Sequence, residues 1–127
     1  SGLGCFPFGF IKYFAKFCHI VFFYFSAFQQ LIGIQVYSLR GSIRDETVGI
    51  DSVISIIGKA GYKYVESASY DDGKIYGMLP EVFKAKIEAA GMTALSCHVG
   101  KNLEADMGPV WAWWDKCIAT HKAAGMK

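Results

Sequence analysis

The dipeptide Ala-Gly occurs at Ala60-Gly61, Ala90-Gly91 and Ala124-Gly125, with separations of 30 and 34 residues. Each pair closes a stretch of helical spacing, and a run of β-forming residues follows. After the first comes Tyr62-Lys63-Tyr64-Val65-Glu66; after the second, Met92-Thr93-Ala94-Leu95-Ser96-Cys97-His98-Val99. The third opens Met126-Lys127. A period in this range marks repeated supersecondary units, here strand, loop, helix, glycine cap, strand. Glycine suits the cap because the residue just past a helix often needs positive φ, which a Cβ penalises.

The 127 residues are enough for one domain with its own core. A formal charge of +2 gives no reason to expect a polyanionic partner, so nucleic acid is excluded as the expected ligand. The hydrophobic excess lies almost wholly before residue 35, and the remainder has the composition of an ordinary soluble α/β protein. Cys5, Cys18, Cys97 and Cys117 show no C-x-x-C spacing, which argues against a zinc knuckle or thioredoxin-type site. Scattered free thiols are favoured over a disulfide. The chain begins at Ser1, has no methionine before Met78, and ends as a new strand opens; a piece of a longer chain is expected.

Residues 1–30 are read as a separate apolar segment and 31–127 as the folded domain. Lys12 and Lys16 precede the apolar run from Phe17 to Phe28. Three readings fit: a secretory signal, a membrane anchor if the run extends towards the roughly 20 residues a span needs, or upstream sequence that is not normally translated. A true signal implies a periplasmic or exported protein, its absence a cytoplasmic one. Membrane contact is expected only through this segment. His19 belongs to it and is not a ligand candidate.

Leu31 to Leu39 predicts the first strand, followed by a polar loop over residues 40–46. Ile50, Val53, Ile54 and Ile57 predict a helix with one buried face, capped by Asp45 or Thr47. The second strand is expected over residues 62–68, and a long turn-rich loop over 69–77, where Asp71 and Asp72 serve as turn residues rather than ligands. A second helix starts at Pro80, with Phe83, Ile87 and Ala90 inward. The third strand is expected over residues 93–99. A third helix follows Gly108-Pro109, with Trp111, Trp114 and Ile118 on its packed side.

Alternating strands and helices predict right-handed βαβ units and a parallel sheet. Such strands are usually apolar on both faces, but these are not. One face carries Gln35 and Tyr37, Tyr64 and Glu66, then Ser96 and His98; the other carries Ile34 and Val36, Val65, and Leu95 with Cys97. The apolar set fits the helices, so the polar set should line the inside of a barrel. It thickens at the C-terminal strand ends, where α/β barrels keep their active sites.

Glu66 and His98 are the candidate catalytic residues. A carboxylate and an imidazole at neighbouring strand ends can bind a metal, move protons or grip a sugar hydroxyl. The plain alternative for His98 is a core histidine bonded to a backbone carbonyl. For Glu66 that alternative is weaker, since an unpaired buried carboxylate is costly. Gln35 and Tyr37 are candidate substrate-binding residues, as is Arg40, which either meets an anionic group or is solvated. No phosphate-cradling loop, nucleophile elbow or dinucleotide fingerprint occurs.

Four segments together, Ile34 to Arg40, Gly61 to Glu66, Tyr70 to Lys74 with Tyr76-Gly77, and Ser96 to Gly100, resemble the sugar phosphate isomerase/epimerase family, a xylose-isomerase-like TIM barrel group that also contains endonuclease IV. The resemblance covers residues 31–127. Leu79, where a capping Ser or Thr is expected, and Gly49, which weakens the first helix, depart from it. It implies three βα units of a (β/α)8 barrel of about 250 residues. It further implies a divalent metal (Mn, Mg, Co or Zn) in the full-length protein, a small sugar or sugar-phosphate substrate, and proton transfer next to the sugar carbonyl. His98 resembles the family's third-strand histidine, which implies that it bonds a substrate oxygen or supports the metal while Glu66 orients substrate or a neighbouring ligand. No metal ligand is assigned in this chain, and the fragment alone is expected to be inactive. The alternatives on the same barrel are zinc phosphodiester cleavage, lyase or hydratase action on an oxidised sugar, and non-catalytic carbohydrate binding.

Overall fold

The computed structural model describes residues 31–127. The readings placed on residues 1–30, including the signal-like run, Cys5, Cys18 and His19, fall outside the described residues. Within residues 31–127 the elements are β1 (Gly33–Gln35), a 3-10 turn (Val36–Leu39), α1 (Arg40–Arg44), α2 (Gly49–Lys59), β2 (Tyr64–Ser67), β3 (Tyr70–Asp71), β4 (Lys74–Ile75), α3 (Pro80–Ala89), β5 (Thr93–Cys97) and α4 (Gly108–Ala123). β1, β2 and β5 pair in parallel in that order, and β3 with β4 forms a small antiparallel hairpin. This is the three-unit βα arrangement expected from the repeat. Among the described residues no helix is long and apolar enough to cross a membrane.

The Ala-Gly pairs end α2, α3 and α4 in the same way. Gly61, Gly91 and Gly125 have φ of 94°, 76° and 85°. Their amides donate to the carbonyls of Gly58, Glu88 and Lys122, and the next amides, of Tyr62, Met92 and Met126, reach back to Ile57, Ile87 and His121. This doubled closure satisfies two helix-end carbonyls and turns the chain towards the sheet. The strands then enter level with one another: the Lys63 amide donates to Ile32 at 2.8 Å and the Thr93 amide to Lys63 at 2.9 Å.

The core lies between this sheet and the helices. Val36, Val65 and Ala94 meet Val53, Ile54 and Ile57 of α2 and Phe83 and Ile87 of α3, with Ile75 of the hairpin and Met92 and Met126 beside the caps. The inward faces predicted for α2 and α3 are found, with Ile50 and Ala90 only partly buried. Pro80 is the first residue of α3, and Leu79 precedes it with no side-chain cap.

Several expectations need correction. β1 stops at Gln35 because residues 36–39 coil into the 3-10 turn, and residues 40–44 form the short α1 rather than a loop. Neither Asp45 nor Thr47 caps α2. The Asp45 carboxylate instead accepts the Thr47 amide and hydroxyl at 2.9 and 2.6 Å, one turn too early. Gly49 opens α2 at φ 67°, a conformation that favours glycine, so it serves the helix start rather than only weakening it. The loop over 69–77 contains the hairpin, whose Asp72-Gly73 turn has positive φ at both positions, as a type I′ turn requires.

Two of the three residues expected on the packed side of α4 are the largest departure, while Trp114 is half-buried. Trp111 and Ile118 are 61% and 50% exposed, while Val110, Cys117, Thr120 and His121 are buried. The slimmer residues at 110, 117 and 124 share a seven-residue spacing and let the helix lie close, which bulky indoles would prevent. Trp113 meets the hairpin edge-on through Tyr70, at 5.2 Å between ring centroids.

Gly58 is the tight point of the helix layer: a Cβ there would lie 2.5 Å from the Ala90 carbonyl oxygen. Gly58→Val should therefore destabilise the fold by ~1–3 kcal/mol through overpacking. Gly41→Ala, where a Cβ meets nothing within 4 Å, should stay within about 0.5 kcal/mol. Urea unfolding of both variants checks the contrast.

Candidate active site

Parallel register places Gln35 opposite Glu66, and Glu66 opposite Ser96, in one row across the three strands. All three stand near the C-terminal strand ends. Val65, next to Glu66, is fully buried against the helices, so strand alternation turns Glu66 to the other side of the sheet. The Gln35 amide nitrogen donates to Glu66 Oε1, and the Ser96 hydroxyl donates to Glu66 Oε2 at 2.7 Å. Glu66 is thus half-buried with a hydrogen bond on each oxygen.

The row depends on an irregularity in β5. Val65 pairs with Ala94, but Glu66 pairs with Ser96, so Leu95 is one residue too many. Leu95, expected on the helix side, is 47% exposed, and Ala94 takes the buried place opposite Val65. The bulge brings Ser96 level with Glu66 and turns Cys97 towards α4, where it lines a groove with Trp114, Cys117 and His121.

The neighbours of Glu66 set its charge state. The Ser96 hydroxyl, then the Gln35 amide, hold its carboxyl below the ordinary carboxylate value; partial burial opposes them, and charge on nearby His98 adds to the lowering. Glu66 is accordingly a carboxylate at neutral pH. Burial first, and then the Glu66 charge, push the Cys97 thiol up, which keeps it protonated and a poor nucleophile. Cys97 and Cys117 are both free thiols.

His98 follows β5 directly. Its amide donates to the Ser67 carbonyl at 2.7 Å, and among the described residues its side chain is exposed. The candidates near β1 separate. Gln35 joins the row, whereas Tyr37, in the 3-10 turn, is 49% exposed and leaves the alternation that was to place it there. Arg40 stacks on the Tyr37 ring at 4.6 Å and donates to the Tyr37 carbonyl. Asp72 forms an ion pair with Lys116 at the hairpin turn, and Asp71 stands opposite Lys74 in the hairpin register.

Ser96 was visible on the polar face but not singled out. The mismatch between Ala94, small enough for the helix side, and Leu95 was the available signal. The Tyr76 hydroxyl accepts the Ala68 amide at 3.1 Å just past β2; Tyr76 stands in one of the resembling segments, which gave it no role. The grooves between α2 and α3 and between β5 and α4 do not include Glu66.

The divalent metal implied by the resemblance does not find a complete set here. Among the described residues no three His, Cys, Asp or Glu side chains converge.

A parallel βα sheet with its polar side chains at the C-terminal strand ends places the chain in the α/β class, and its arrangement is that of part of a TIM barrel. The solved structures similar to it narrow the class. A sugar phosphate isomerase/epimerase from Parabacteroides distasonis ATCC 8503 matches with a TM-score of 0.64 and 25% identity, over 76% of this chain and 39% of that one. A second sugar phosphate isomerase/epimerase from the same organism matches at 0.58 and 22%, over 75% and 36%, and speaks for the fold alone. Both are TIM barrels of the xylose-isomerase-like kind, and residues 31–127 have the fold of three of their βα units. The chain therefore spans less than half the length of the proteins it resembles. Neither a protein-family profile nor a curated protein matches it.

Ser96→Ala removes the foremost influence lowering the Glu66 carboxyl, so that group should titrate closer to its ordinary value. Carbon NMR of the carboxyl against pH reads this directly. A group whose pKa is lowered by folding stabilises the fold above its unfolded value and loses that contribution as pH falls through the folded one. The wild type should thus exceed Ser96→Ala by about 1 kcal/mol at pH 7, with the gap closing as pH falls through the carboxylate range.

Proposed function

We propose that the protein is a sugar isomerase or epimerase, moving a proton next to the carbonyl of a small sugar or sugar phosphate. The observation that carries this reading is the row Gln35–Glu66–Ser96, a carboxylate fixed by neutral donors across three parallel strand ends. The likeness to two solved isomerase/epimerases supports it. Polar groups held in this way suit the recognition of a hydroxylated substrate, because each is set before the substrate arrives.

In this reading His98 hydrogen-bonds a substrate oxygen, and Glu66 orients the substrate. Glu66 is not the principal base: its two donors favour the charged form and so lower its pull on a carbon-bound proton. The base, and the ligands of the divalent metal the resemblance implies, belong to strands other than β1, β2 and β5. Arg40, stacked but joined to no carboxylate among the described residues, is the group available to an anionic end of the substrate.

The test is incubation of the protein, expressed from its complete reading frame, with a panel of ketoses and aldoses in deuterium oxide. Deuterium should enter the carbon beside the carbonyl, read by NMR, and His98→Ala should lower the rate about 100-fold. Glu66→Gln should act more on KM than on kcat. A protein that neither exchanges nor binds any sugar of the panel would sink the reading.

A further inference from the structure

Counting hydrogens in the row shows what it can still bind. Glu66 accepts from Gln35 on one oxygen and from Ser96 on the other. A serine hydroxyl has a single hydrogen, and Ser96 has committed its own to Glu66, so its oxygen is left only to accept. Gln35 must turn its nitrogen towards Glu66, because an ionised carboxylate has no hydrogen to offer the amide oxygen. That leaves Gln35 one N–H and its carbonyl oxygen. Each carboxylate oxygen also keeps lone-pair capacity. The row therefore offers acceptors on all three residues and one spare donor.

This polarity discriminates between the parts of a sugar. A phosphate dianion accepts only, and its charge has the same sign as that of Glu66. A ketone or aldehyde oxygen accepts only. A hydroxyl brings the hydrogen the row lacks, and the two oxygens of one carboxylate suit two neighbouring hydroxyls. We propose that Gln35, Glu66 and Ser96 form an acceptor rail for adjacent hydroxyls, which grips the hydroxylated carbon chain and leaves the carbonyl and any phosphate to be held elsewhere. The proposal rests on the sugar reading above and narrows it to a polyol end at β2. His98, just past β5, and Arg40, the first residue of α1, are then the groups left for the acceptor-only ends.

The experiment is calorimetric titration of the protein, expressed from its complete reading frame, with D-sorbitol, which has hydroxyls but neither carbonyl nor phosphate. Saturable binding is expected, and inorganic phosphate should not displace it. Glu66→Gln should weaken it about tenfold, because the new amide replaces an acceptor oxygen with a donor. Ser96→Ala, which deletes one acceptor without adding a donor, should weaken it by a smaller factor. Circular dichroism melts of both variants separate lost binding from lost fold. If phosphate displaces sorbitol, or if both folded variants hold it as tightly as the wild type, the rail is overturned while the sugar reading stands. If neither sorbitol nor D-fructose binds the wild type, both fail together.

Discussion

The reversal of the chain at the helix ends is the constraint on which the rest of this structure depends. A helix finishes with carbonyls that have no partner, and the chain must turn sharply to begin a strand beside the previous one. Gly61, Gly91 and Gly125 meet both demands with the same pair of backward hydrogen bonds. After the first two, the following strand starts level with its neighbour. A row of side chains across the sheet exists only because these starting levels agree. The position of Glu66 between Gln35 and Ser96 is in that sense decided at glycines a strand's length away.

At the row itself, the protein surrounds a carboxylate with neutral donors. An ion pair would fix the carboxylate too, but it would cancel the charge. An amide and a hydroxyl fix it and leave the charge outward-facing, so Glu66 keeps its attraction for hydroxyl hydrogens. The same charge, together with burial, keeps the adjacent Cys97 thiol protonated. A carboxylate held in this way suits orientation more than reactivity, and the role proposed for Glu66 rests on that.

What was legible in the sequence is what depends on period and alternation. The Ala-Gly repeat gave the order of strands and helices, and the two-residue alternation placed Gln35 and Glu66 on one face. The inward faces of α2 and α3 followed from helical spacing. The failures occur where backbone geometry departs from those periods. At Tyr37 a strand pattern continues in the letters while the chain coils, so the residue leaves the face its parity assigned. At α4 the apolar residues are not confined to one stripe: Trp111 and Ile118 satisfy helical spacing as well as Val110 and Cys117 do, and only close packing decides between them. The hairpin was written in Asp72-Gly73, but its strands are too short to announce themselves.

The bulge at Leu95 has a consequence for how this chain can change. Because parity along a strand determines which side chain meets which surroundings, the one extra residue acts as a phase offset between the buried half of β5 and its polar tip. The hydrophobic anchoring of the strand at Ala94 and the polar row at Ser96 are set on opposite faces although they stand two positions apart. Loss of Leu95 would close the bulge and leave Ala94 opposite Val65, Ser96 opposite Glu66 and Cys97 opposite Ser67, the partners each has now. The spare residue is therefore a point at which this chain can shorten by one without changing which side chain stands beside Glu66.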